Sequence, residues 1–156
     1  MAALPVSSAS ADSIKIGYVN TQRIFRDAPA AAAAQKKIET EFSKRDQELQ
    51  RLAKQIQTLQ EALEKNGLTL SESERRTKER DVNDLTRDFQ RKQREFREDL
   101  NLRQNEENAV IFEKANKAVK QIFDEEKYDL ILQDAVFWSP SIDITDRVIK
   151  AMSDAK

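Results

Sequence analysis

Between residues 35 and 104 the apolar positions fall into two runs whose spacing alternates between four and three. The first run holds Ile38, Phe42, Leu49, Leu52, Ile56, Leu59 and Leu63, with Arg45 in the one slot that should be apolar. The second holds Val82, Leu85, Phe89, Phe96 and Leu100, with Lys92 or Gln93 in the corresponding slot. Folded back at Asn66-Gly67 the runs match layer for layer: Ile56 with Val82, Leu52 with Leu85, Leu49 with Phe89, Phe42 with Phe96, Ile38 with Leu100. The polar slots then fall opposite each other. This register predicts an antiparallel coiled-coil arm over residues 35–104, with its tip near 64–74. Leu59 and Leu63 face Lys78 and Arg75 there, so Leu68 and Leu70 are expected to fold back over them.

The pattern changes on both sides of the arm. Ile14, Ile16 and Tyr18 alternate with Lys15 and Gly17, as a strand requires, and a short amphipathic segment with Ile24 and Phe25 ends at Pro29. Pro29 followed by alanines then suits the first turn of the first arm helix. Ser71 with Glu74 is a capping box that restarts the chain as a helix to about Glu126. Toward its end the apolar stripe widens through Val110, Ile111, Ala115, Ala118, Val119, Ile122 and Phe123, more than a two-stranded seam can cover. Tyr128–Leu132, with Leu130 and Leu132, reads as a buried strand, 136–138 as a second one, and Asp143 as the cap of a last helix. Pairing residues 14–19 with 129–132 gives a small sheet at the root. The fold class is therefore α+β, mostly α. A long antiparallel hairpin projects from a body made of residues 12–34 and 105–156, in which Ile14, Ile16, Tyr18, Val110, Ile111, Ile122, Leu130 and Leu132 are the candidate oligomerisation residues.

Composition narrows the function. Of 156 residues, 35% are charged and two are glycine, as in long helices rather than compact globules. So small a root in so long a chain suggests that association completes its core. No cysteine or histidine is present, which excludes disulfides, thiol nucleophiles and histidine acid–base chemistry. Gly17 and Gly67 stand too far apart for a phosphate loop, so neither an enzyme nor a cofactor is expected. Acidic and basic residues interleave along the helices as a solvated coil face does. Residues 75–103 carry ten Lys/Arg against seven Asp/Glu, a mild basic excess suited to an acidic client or an anionic lipid headgroup. The aromatic interleaving of single-strand nucleic-acid binders is missing, and the net charge is −1, so no nucleic-acid partner is expected. Residues 1–11 end in Ala9-Ser10-Ala11 and read either as the tail of an export signal or as a disordered terminus.

The order of these pieces resembles the Skp/OmpH family of periplasmic chaperones over residues 14–152. The resemblance rests on Ile16-Gly17-Tyr18-Val19-Asn20, on Phe89 and Phe96 followed by Arg103-Gln104-Asn105-Glu106-Glu107, and on Tyr128-Asp129-Leu130-Ile131-Leu132 through Asp143-Ile144-Thr145. It implies a homotrimer whose arms enclose a cavity for unfolded outer-membrane β-barrel proteins, held without ATP. It also implies a periplasmic location and favours the export-signal reading. A lipopolysaccharide-binding cluster of the family maps onto Glu41, Lys92 and Arg103, with Leu102 where a further basic residue stands in the family. The alternative from another class is a coiled-coil scaffold that holds folded partners apart.

Overall fold

The computed structural model describes residues 13–154; the Ala9–Ala11 pattern lies outside them. The chain runs β1 (Ile16–Tyr18), α1 (Thr21–Asp27), α2 (Pro29–Asn66), α3 (Glu72–Glu126), β2 (Leu130–Leu132), a 3-10 turn (Pro140–Ile142) and α4 (Thr145–Asp154). Two compact units result. One is residues 33–110; the other combines the segments up to Ala32 and from Ile111 onward.

The hairpin unit is an antiparallel pair formed by α2 and the first part of α3. Ile38, Phe42, Leu52, Ile56 and Val82 are buried in its seam. The rings of Phe42 and Phe96 meet edge to face at 5.5 Å, a pair worth about 0.5–1.5 kcal/mol beyond its buried area. The seam thins toward the turn, where residues 71–81 are all exposed and Leu59, Leu63 and Leu70 are half-buried. Leu68 does not fold back: it is fully exposed. The capping box forms as the sequence predicts. Ser71 N–H donates to Glu74 Oε2 at 2.9 Å and Glu74 N–H to Ser71 Oγ at 3.3 Å. Gly67 has no positive φ. A β-carbon there would lie 2.6 Å from the carbonyl oxygen of Leu63, so the turn needs glycine for close approach rather than for left-handed backbone.

In the second unit β1 and β2 pair in parallel, Ile16 with Leu130, Gly17 with Ile131 and Tyr18 with Leu132. A parallel pair needs a crossover, and α1, α2 and α3 together supply it. Side chains alternate across the sheet. Gly17 and Ile131 therefore face the packed side, against Tyr128 and Ile144, and Ile16, Tyr18, Leu130 and Leu132 face the other. The core is Val19, Ile24, Ala28, Ile111, Ala115, Ala118, Ile122, Tyr128, Ile144, Val148 and Met152. Residues 136–138 do not form the expected strand. Tyr18 bridges instead to Asp143, and Ile144 N–H donates to Tyr18 O at 2.9 Å, so the place beside β1 is taken. Trp138 stacks on Tyr18 at 4.2 Å between ring centroids, pinning its own loop by a side chain rather than by a ladder.

Three local devices hold this unit together. Asn20 caps α1 by accepting from Arg23 N–H at 3.0 Å, and its own N–H donates to the buried Thr145 Oγ1 at 2.9 Å. At the end of α3, Lys127 takes φ 56° and Tyr128 N–H donates to Phe123 O at 3.2 Å, the Schellman closure with lysine where glycine is usual. Tyr128 then lies between cations, with Lys15 Nζ 4.2 Å and the Arg147 guanidinium 5.9 Å from its ring centre. Both cations also bind Glu126, Arg147 at 2.5 Å and Lys15 at 3.4 Å. These contacts hold the Glu126 carboxyl below the usual carboxylate range, Arg147's hydrogen bond most of all.

Candidate functional surfaces

The helix pair brings Glu41 and Arg103 together and leaves Lys92 apart from them. Arg103 Nε donates to Glu41 Oε2 across the hairpin at 3.0 Å, and its other nitrogens donate to Glu106 at 2.8 Å and Glu107 at 2.5 Å. Lys37 adds a second bond from α2 to Glu107 at 2.8 Å. The two cations here are outnumbered by three carboxylates, and every guanidinium nitrogen is engaged. Glu107 is held below the usual carboxylate range, first by the Lys37 hydrogen bond and then by the charges of Lys37 and Arg103. Lys92 lies eleven residues back along α3, about 16 Å at the rise of a helix. It donates to Glu48 on α2 at 2.5 Å. The groups mapped as a lipid-binding cluster thus serve as struts between the two helices, and an anionic headgroup would have to displace carboxylates to reach them.

The polar slots meet at one layer of the seam, as the register predicts. Arg45 and Lys92 share this layer but take separate carboxylate partners: Arg45 reaches to Asp99 at 2.8 Å and lies over the Phe42 and Phe96 rings at 5.5 and 5.7 Å, while Lys92 binds Glu48. A shallow cleft lined by Arg45, Glu48, Leu49, Lys92, Glu95 and Phe96 opens at this layer. Such exposed pairs contribute little net stability, so this is the weak layer of the seam.

The second surface is apolar and belongs to the sheet-bearing unit. Of its candidate oligomerisation residues, Tyr18, Ile111 and Ile122 are buried within the chain. Ile16, Leu130 and Leu132 stand on the open side of the sheet, and Ile14, ahead of β1, is 72% exposed. Val110, in the hairpin unit, is 47% exposed. Sequence reading missed the neighbours of this face: Val136 and Phe137 are 85% and 92% exposed, and Trp138 is half-covered by Tyr18. Their run of three apolar residues was visible, but it signalled a strand. Among the described residues no helix is long and apolar enough to cross a membrane.

A long two-helix coil and a small parallel-sheet unit in one chain are the elements of an OmpH-like fold. The crystal structure of an OmpH-like protein from Caulobacter crescentus superposes with a TM-score of 0.78 over 97% of this chain and 90% of that one, at 14% identity. The chain belongs to the OmpH-like outer membrane protein family, whose model matches residues 15–152. Its relatives include the chaperone protein Skp of Yersinia enterocolitica, 36% identical over 92% of this chain and 89% of the relative. Skp of Photorhabdus luminescens is 34% identical over 95% of this chain and 91% of the relative.

Proposed function

We propose that this chain is an ATP-independent periplasmic holdase that keeps unfolded outer-membrane β-barrel proteins soluble, acting as a homotrimer with clients held between its arms. The observation that carries this reading is the division of labour between the two units. The hairpin buries most of its apolar residues in its own seam and presents charge-paired helix faces, with Leu68, Leu102 and Val110 as exposed apolar points. Such a surface binds an unfolded chain only through many weak contacts, and these gain strength when several arms present them at once. The sheet-bearing unit has the opposite character: its open face is rich in exposed apolar residues, as a surface that joins copies of the chain would be. No residue has a catalytic role in this mechanism, and clients are released by competition rather than by nucleotide turnover. Lipopolysaccharide is not favoured as a ligand, because Arg103 and Lys92 already bind carboxylates. The scaffold alternative receives no support from relatives named as chaperones.

The test is light scattering from a urea-denatured outer-membrane barrel protein diluted into buffer without nucleotide. About one trimer per client should suppress aggregation, and a folded control protein should not compete. Unchanged aggregation at several-fold excess would sink the proposal.

A further inference from the structure

A pocket of about 160 Å³ opens in the sheet-bearing unit, lined by Ile24, Phe25, Phe112, Ala115, Val119 and Ile131. Thr21, Asn116 and Gln133 also line it; a cavity of about 150 Å³ holds one benzene ring, so the volume suits a single phenyl side chain. Val19 and Ile131 place the pocket on the packed side of the sheet. Phe137, 92% exposed, is the most exposed aromatic among the described residues. Its loop is fastened by Trp138 to Tyr18, on the opposite side of the same sheet. The chain therefore carries a ring-sized hole and an unburied ring on opposite faces of one sheet, and the ring does not fill the hole of its own chain.

We infer that Phe137 of one copy seats in the Phe25/Phe112/Ile131 pocket of the next, so that copies join head to tail. This rests on the homo-oligomer reading above and names the contact that makes the assembly. A knob and hole on different surfaces give a heterologous interface, which closes into a ring when the rotation between copies allows it. Ile16, Leu130 and Leu132 share the knob's side of the sheet, so the same docking step would cover them as well. An aromatic anchor filling a desolvated pocket is the kind of residue that dominates an interface.

Sedimentation of the full-length chain across a concentration series tests this, with Phe137→Ala beside the unaltered protein. Because Phe137 is almost wholly exposed, the variant should keep its helical circular dichroism. It should need at least about tenfold higher concentration to assemble, as loss of an anchor side chain implies. A second measurement uses the absence of native cysteine. Chains carrying Phe137→Cys, mixed with chains carrying Asn116→Cys at the pocket rim, should be joined by a short thiol cross-linker into mixed dimers. An unaltered protein that assembles, with Phe137→Ala assembling equally well and no mixed cross-link, overturns the knob-and-hole contact alone. An unaltered protein that stays monomeric at every concentration overturns the oligomer reading together with it. If Ala115→Leu weakens client holding without touching assembly, the pocket belongs to the client and the inference fails.

Discussion

Gly17 lies beneath the Tyr128 ring, and a β-carbon there would sit 3.2 Å from Tyr128 Cε1, 3.3 Å from Ile131 Cγ1 and 3.4 Å from Ile144 Cδ1. The ring has little freedom to yield, because Lys15 and Arg147 flank it and Arg147 donates to its hydroxyl at 2.6 Å. Gly17→Val should therefore overpack the sheet and cost about 1–3 kcal/mol, read as a lower urea midpoint. Asp143 belongs to the same scale. Burial pushes its carboxyl up, but hydrogen bonds from the Thr145 hydroxyl and N–H and from Trp138, with the Arg23 charge, outweigh that and leave it below the ordinary value of 3.8. A carboxyl lowered in the folded state adds stability above its unfolded pKa and loses it as pH falls through the folded one. Melting temperature should drop on acidification below about pH 4, and the drop should be shallower in Asp143→Asn. An equal slope in both proteins would remove Asp143 from the account.

Within the hairpin, the layer at Arg45 decides how firmly α2 and α3 hold together. Its cation is occupied by Asp99 and two aromatic rings rather than by the residues opposite it. Arg45→Leu with Gln93→Leu should continue the seam and stabilise the unit by about 1–3 kcal/mol, since two apolar side chains become buried. Amide exchange in residues 42–52 should slow, and faster exchange would show that the polar layer was the better packed one. The coil was legible in the sequence because a repeat of three and four fixes which faces meet, and the Phe42–Phe96 contact confirms that register. The side chains of the polar slots were not legible. Long cations reach a turn along the helix to find partners, and spacing alone does not say in which direction. The strand expected at 136–138 failed for a different reason. An apolar triplet fits a strand or a pinned loop equally well, and the place beside Tyr18 had gone to Asp143. Lys127 gave no signal, because its left-handed φ is imposed by the closure of α3 rather than by residue preference.

At the scale of the whole molecule, the sequence showed that the root was over-provided with apolar residues but not which ones the chain buries itself. Ile111 and Ile122 turn inward, whereas Ile14, Leu130 and Leu132 remain on the surface. For Ile16, Leu130 and Leu132 alternation along two three-residue strands decides the side, and that requires the register of the sheet, which no local pattern contains. The three groups mapped as a lipid cluster pair separately: Glu41 with Arg103 across the hairpin, and Lys92 with Glu48. What remains is a chain whose hairpin surface is mostly polar and whose sheet-bearing unit exposes an apolar face, the combination the holdase proposal needs. Mass in solution, measured with and without an unfolded outer-membrane barrel protein, tests that claim most directly. The expected particle holds three 18.0 kDa chains and takes up one client without changing its own chain number. A monomer at working concentration, or clients bound in open-ended ratio, would contradict it.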